Sequence, residues 1–321
     1  MKNILVISNR RTRFVQDDID IIESTGNKVK YLHNNFWSWD LLRSIIWSDK
    51  IISWFNSKHT IVPFIIAKLF RKKIVIITGG YDTAYCPDIN YGLRCNKLVS
   101  KVLNIPLNFC DDIIVNSHFA YNELISYGIT NSKVLVIYHA LTEKENFSSI
   151  SRKKQILYVG DVTEVNLDRK GLKHFLNFSN TNKTHSFVCI GKISIEFKKY
   201  LSKEFPNVLF TGFIDDNELI DYWKESSMIF QMSIHEAFGL SVVQAMYYGC
   251  FPVIFNNSGA LSEVTAPFGL VLKKYNNTEL QNIIKLVNDS TINDREVMSK
   301  SVSEKYHFEK RKTLINKIIS Q

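Results

Sequence analysis

Cysteine is scarce and unpatterned. The chain has five, Cys86, Cys95, Cys110, Cys189 and Cys250, an odd number with no C-x-x-C spacing. That argues against a disulfide framework and a cysteine zinc site, and points to a reducing cytoplasm. No run of about 18 apolar residues occurs, so no membrane-spanning helix is expected. Met1 to Ile7 enters a strand pattern directly, without an apolar leader ahead of a cleavage site. A P-loop and a nucleophile elbow are both missing, which leaves no support for P-loop or Ser/Cys hydrolase chemistry. The one D-x-D, Asp18 to Asp20, falls in a helical stretch and reads as a solvated face rather than a metal site. There is no basic tail either. The net charge of +9 is spread out, with 18 Lys/Arg against 13 Asp/Glu in residues 1–150 and 22 against 18 in the remainder.

What is present is the composition of an ordinary globular protein, 45% apolar and 22% charged over 321 residues, long enough for two domains of about 150 residues each. The positive balance suits polyanionic partners, whether nucleotide phosphates, anionic lipid surfaces or nucleic acid, without choosing among them. Apolar β-branched runs alternate with helical patterns. Asn3 to Ser8, Lys28 to Leu32, Lys50 to Trp54, Ile74 to Thr78, Asp112 to Asn116 and Lys133 to Tyr138 read as strands, and helices fall at Phe14 to Ser24, from Ser38, at Thr60 to Leu69 and at Tyr121 to Tyr127. This rhythm predicts an α/β fold with a doubly wound parallel sheet, whose ligands bind beyond the carboxyl ends of the strands. The polar stretch Ser148 to Lys154 is the expected linker. After it the same grammar restarts at Gln155 to Gly160, Val188 to Lys192, Val208 to Ile214 and Met228 to Met232. The expected domains are therefore 1–148 and 149–321. The tail from Asp294 to Gln321 reads as one or two Lys- and Glu-rich helices, the last able to pack back on the first domain.

Three stretches depart from the rhythm. Gly79 to Gly92 follows a strand of the first sheet, where loops carry function; its glycine pair permits close backbone approach, and Gly80, Tyr81 and Asp82 are candidates to meet a substrate. His118, after the next strand, is a further candidate, although a lone loop histidine is more often polar surface. Thr60 to Lys73 is an apolar helix ending in a cluster of cations. It reads as a core helix with a solvated end suited to the helix dipole, with an anionic membrane surface as the alternative. The third stretch, Ser233 to Glu263, places a loop carboxylate, Glu236, before Gly239 and an apolar helix that stops at Gly249. Two successive helix starts there offer backbone amides to a phosphate or diphosphate.

The second domain resembles the donor-binding half of the family 4 retaining glycosyltransferases. The resemblance rests on Tyr158-Val159-Gly160, Arg169-Lys170-Gly171, the strand Asn207 to Gly212, His235 to Leu240, Gln244-Ala245-Met246, Gly249 to Val253 and Ser258 to Val264, about 110 residues in the family's order and spacing. It implies the GT-B fold, two Rossmann-like domains facing across a cleft, with C-terminal helices. It further implies metal-independent transfer of a sugar, with retention, from a nucleotide diphosphate donor to an acceptor hydroxyl. The acceptor would be a saccharide, a lipid-linked intermediate or a glycan, and no cofactor is implied.

The resemblance puts Glu236 on the donor sugar, the amides of Phe238, Gly239, Leu240 and Ser241 on the sugar and diphosphate, and Gln244 on the ribose. Gly160 and Gly212 belong to the same donor side, and Lys170 and Arg169 are the cations for the leaving group. The family's ribose-side Glu is Gln244 here, and the Arg that usually follows the first Gly is Asp161, so Arg169, at the end of a long loop from Val162 to Asp168, is expected to reach in instead. Asp82 joins the catalytic candidates, and Gly80, Tyr81 and His118 stand on the acceptor side. Two other readings remain open: a non-catalytic nucleotide- or sugar-binding protein of this fold, and a transferase acting on nucleic acid. Peripheral contact with the inner membrane surface is compatible with the first reading.

Overall fold

The computed structural model describes residues 1–33, 38–142 and 152–321. Most of the expected linker, together with the expected boundary at 148/149, lies outside the described residues; its end, Lys153 and Lys154, already belongs to the next strand. The chain forms two compact units, Met1–Thr142 with Tyr306–Gln321, and Glu143–Lys305.

In the first unit β1 (Asn3–Ser8), β2 (Lys28–His33), β3 (Lys50–Trp54), β4 (Lys73–Ile77), β5 (Asp112–Val115) and β6 (Val134–Val136) form a wholly parallel sheet in the order β2-β1-β3-β4-β5-β6. The helices between them are α1 (Arg13–Glu23), α2 (Trp39–Trp47), α3 (Lys58–Leu69), α4 (Lys97–Phe109) and α5 (His118–Ser126). The central strands are buried on both faces, which is why they read as continuous apolar runs. One face packs Leu41, Ile45, Phe64, Ala67, Leu107 and Leu124 from α2 to α5. The other packs α1 through Val15, Ile19 and Ile22.

The second unit repeats the plan with β7 (Lys153–Val159), α6 (Glu164–Arg169), α7 (Leu172–Thr181), β8 (Ser186–Ile190), α8 (Ile195–Glu204), β9 (Val208–Gly212), α9 (Asp216–Glu225), β10 (Ser226–Gln231), α10 (Leu240–Tyr247), β11 (Phe251–Phe255), α11 (Leu261–Thr265), β12 (Leu270–Leu272), α12 (Asn277–Asn288) and α13 (Ile292–Lys305). Its parallel order is β12-β11-β10-β7-β8-β9. Aromatic rings fill the core, with Phe178 stacked on Phe230 at 5.6 Å and Phe175 against Phe187 at 5.4 Å.

The last helix, α14 (Phe308–Ser320), joins the first unit, so the second ends at Lys305 rather than at Gln321. Ile315, Ile318 and Ile319 of α14 enter the core beside α1. Two sequence expectations are corrected here. Asp18 does not lie on a solvated face: it is buried and paired with Arg311 at 2.7 and 2.8 Å, because α14 covers that side of α1. The stretch Val162 to Asp168, read as a loop, is mostly α6, started by the Thr163 side chain accepting the Asn166 amide.

Candidate active site

Strand order in the second sheet reverses between β7 and β10, and a crevice opens beyond the carboxyl ends of strands at such a point. From β7 come Gly160 and, by way of α6, Arg169, Lys170 and Gly171; from β10 comes the loop Met232 to Gly239. Backbone contacts clamp the two loops together. The Ile234 amide donates to the Arg169 carbonyl at 2.7 Å, and a Cβ on Gly171 would lie 2.3 Å from the Met232 carbonyl oxygen.

This clamp brings Lys170 Nζ to 3.7 Å from Glu236 Oε2, each side chain 19% exposed. Glu236 Oε2 is buried and accepts no hydrogen bond. A buried carboxylate oxygen held only by a long ion pair is costly. The main chain of Glu236 is fixed from its other side: the Ala260 amide donates to its carbonyl at 2.8 Å, and Gly259, at φ +65°, approaches so closely that a Cβ would meet the Glu236 carbonyl oxygen at 2.5 Å.

Gly239 caps α10 in the left-handed region, and its carbonyl accepts the Val242 and Val243 amides at 2.9 and 3.1 Å. The amides of Leu240 and Ser241 therefore open the helix at its positive end, next to Glu236. The ring of Phe238 is buried in the core, so its main chain is what it can offer. Gln244 stands in the following turn of α10, half-buried.

A ledge of backbone lies beside this group. The Gly160 amide donates to the Ile190 carbonyl at 2.8 Å, and the Gly191 amide to the Gly212 carbonyl at 3.0 Å. A Cβ on Gly191 would come within 2.1 Å of the Gly160 oxygen, and one on Gly160 would lie 3.2 Å from Lys170 Cδ. Arg169 is braced by its own helix, its Nε donating to Asn166 Oδ1 at 3.0 Å, while Asn166 Nδ2 donates to the Asp161 carbonyl at 2.7 Å. Asp161 is exposed.

Sequence reasoning missed two features near the ends of β7 and β8. Tyr158 is fully buried beneath Gly160 with a hydroxyl that has no hydrogen-bond partner, and burial pushes its pKa well above the ordinary phenol value, with Arg169 pulling the other way. A cavity of about 990 Å³ opens beyond β7 and β8, lined by Val162, Thr163, Leu167, Lys192, Ile193 and Phe197. Lys192 Nζ lies 5.6 Å from the centre of the Phe213 ring. The glycines of the ledge were the signal for both features, since backbone ledges at strand ends leave room for a ligand.

In the first unit the acceptor-side candidates follow β4 and β5, which are adjacent. Tyr81 is exposed and packs edge-on against Tyr91 at 5.1 Å; His118 is exposed and faces the Tyr138 ring at 6.3 Å. Asp82 is different. It is buried, and its carboxylate accepts the amides of Asn56 at 2.7 Å, Gly80 at 2.8 Å and Gly79 at 3.0 Å. Burial raises its pKa, and those amides act against the rise. Asp82, a candidate to meet substrate, is the knot that ties the loop, including the main chain of Gly80. No helix among the described residues is long and apolar enough to cross a membrane.

The family model for glycosyl transferases group 1 matches residues 141–305. A Klebsiella pneumoniae protein described as an uncharacterized 41.2 kDa protein in the cps region is 29% identical over 248 residues, 71% of this chain and 66% of that protein. Among solved structures, Anabaena HepE in complex with UDP and glucose superposes with a TM-score of 0.77 at 17% identity, covering 100% of both chains. Sucrose-phosphate synthase from Thermosynechococcus elongatus gives 0.77 at 13% identity over 100% of this chain and 99% of that one. The lipopolysaccharide outer core galactosyltransferase WaaB, in its apo form, gives 0.68 at 14% identity over 99% of each. These likenesses establish the GT-B fold.

Proposed function

Because the chain belongs to the glycosyl transferases group 1 family, we propose that it transfers a sugar, with retention and without a metal, from a nucleotide diphosphate donor to an acceptor hydroxyl on a saccharide, a lipid-linked intermediate or a glycan. The observation that carries this reading is the Lys170–Glu236 pair at 3.7 Å, with a buried carboxylate oxygen that accepts no hydrogen bond, set at the start of α10. In the transfer, the bond from the anomeric carbon to the diphosphate oxygen breaks, one to the acceptor oxygen forms, and the acceptor's proton passes to the leaving diphosphate. Negative charge gathers on the leaving nucleoside diphosphate as that bond stretches. Lys170, with Arg169 and the amides of Leu240 and Ser241, supplies fixed positive charge where it forms. Glu236 accepts hydrogen bonds from the donor sugar's hydroxyls and holds Lys170 in place. A uridine nucleotide is the first donor to try, since HepE was solved with UDP and glucose.

The test is turnover of UDP-, GDP-, ADP- and dTDP-sugars by the full chain. Glu236→Gln is expected to lower kcat by about 10²–10³, the scale of losing one group poised for transition-state charge. A chain that binds nucleoside diphosphate but turns over none of these donors, with Glu236→Gln leaving binding unchanged, would instead be a non-catalytic binding protein.

A further inference from the structure

On one face of the first unit α2, α3 and α4 lie side by side. α4 turns Leu103, Pro106 and Leu107 into the core and leaves Leu98, Val102, Ile105 and Phe109 exposed, Leu98 at 75% and Phe109 at 63%. Steps of four, three and four residues keep these side chains within an arc of about 60°. The neighbouring α3 does the same: it buries Pro63, Phe64 and Ala67 and exposes Ile65 and Leu69, the latter at 77%. Single exposed apolar residues are ordinary, whereas a stripe continued across two adjacent helices marks an interaction surface.

Within α3 and α4 every Lys, Arg, Asp or Glu present is a lysine. No Asp or Glu occurs from Lys58 to Lys73 or from Lys97 to Cys110, and Lys68, Arg71, Lys97 and Lys101 are all exposed. The acid that follows α4, Asp111, is held by Lys68 at 3.4 Å and by the Ile74 amide at 2.8 Å.

We propose that the α3–α4 face docks on an anionic lipid bilayer, its apolar stripe entering the interface while the lysines and Arg71 lie among the headgroups. A symmetric dimer through this face would repeat the patch on itself and oppose cation to cation, so charge complementarity selects lipid over a second copy. The loop Gly79 to Gly92 runs on into α4, whose start is capped by Asn96. Where the chain transfers sugar, docking would carry the acceptor-side loop to the bilayer surface, but lipid binding does not depend on that reading.

The experiment is co-flotation of the full chain with vesicles of phosphatidylcholine alone and with about one third phosphatidylglycerol. Binding is expected to be at least about tenfold stronger to the anionic vesicles and to weaken as salt rises. The variant Lys97→Glu/Lys101→Glu is expected to lower it by about tenfold or more, and Leu98→Ser/Ile105→Ser/Phe109→Ser to lower it as well, both with an unchanged melting midpoint because all these side chains are exposed. Should the triple variant fold poorly, the charge variant decides. Equal or absent binding to the two vesicle types overturns the proposal, as does a concentration-dependent dimer that the same substitutions abolish. Donor turnover in solution, measured in parallel, separates failure of lipid binding from failure of the transferase reading.

Discussion

Two residues set the charge of the proposed donor site. Glu236 keeps its carboxylate, whereas the resemblance leads one to expect a second carboxylate where Gln244 stands, half-buried in the second turn of α10. Gln244→Glu would turn a neutral acceptor into a charged one, and charge-assisted hydrogen bonds are about twice as strong as neutral ones. If Gln244 meets the ribose, the donor Kd is expected to fall by up to about tenfold, roughly 1.4 kcal/mol, as read by titration calorimetry with nucleoside diphosphates; an unchanged Kd would remove Gln244 from the proposed site. Acid sensitivity belongs to another residue, His59. It is buried with Nε2 against the Trp54 carbonyl at 3.0 Å, so Nε2 carries the proton, and Nδ1, at 2.6 Å, accepts from the Ser57 hydroxyl. Burial lowers its pKa to about 4, against a smaller rise from the Trp54 carbonyl. The folded chain therefore holds fewer protons on this ring than the unfolded chain between pH 6.5 and about 4, and stability is lost as pH falls through that window. His139, buried beside Arg311, is shifted the same way. The difference in unfolding free energy between wild type and His59→Gln is expected to shrink by about 2–3 kcal/mol from pH 7 to 4, measured by urea denaturation; a pH-independent difference would mean that the ring does not titrate in the fold.

At the scale of elements, the proposed donor site is held by glycines that let backbones touch. Gly259 packs on the Glu236 main chain at a positive φ that costs other residues about 1–2 kcal/mol. Gly259→Ala is therefore expected both to destabilise the chain and to displace Glu236, lowering kcat for donor turnover by more than the melting midpoint alone explains; unaltered turnover would mean that the Gly259 turn does not position the carboxylate. Much of this was legible in the chain. Buried parallel strands announce themselves as apolar β-branched runs, and the ordered signals from Gly160 to Val264 single out Lys170, Glu236 and Gly239, which the fold brings together. What escaped notice had physical causes. The helix α4 has Pro106 inside it, a residue that reads as a breaker, and it is apolar on an exposed face as well as its buried one, so it escapes notice although Lys97, Ser100, Lys101, Asn104 and Asn108 line one side at helical spacing. Asp18 reads as a solvated face and Asp82 as a group meeting substrate, yet each carboxylate is buried, Asp18 by Arg311, distant in sequence, and Asp82 by the amides of Asn56, Gly79 and Gly80. Long-range partners of that kind cannot be found from local spacing.

At the scale of the whole molecule, the chain leaves the first unit, builds the second, and returns with α14 to complete the first. The return is secured by a buried charge pair. Arg311 grips Asp18 with two hydrogen bonds, and its third nitrogen donates to the carbonyls of Ile137 at 3.0 Å and Tyr138 at 2.8 Å. Lys2 and Lys73 then gather the last carbonyls of the helix at 2.7 Å, and Lys50 donates to that of Ile318, cations placed where the helix dipole is negative. Arg311→Met leaves Asp18 buried without its cation and is expected to cost about 3–5 kcal/mol; adding Asp18→Asn should restore part of that, because the lone carboxylate, not the missing contact, carries most of the penalty. All these groups lie in the first unit, whereas the proposed nucleotide site is confined to the second. Differential scanning calorimetry should therefore show Arg311→Met lowering one transition while a saturating nucleoside diphosphate still raises the other, by about 2.7 kcal/mol at a hundred times Kd. A single transition that responds to both changes would show that the two units unfold as one.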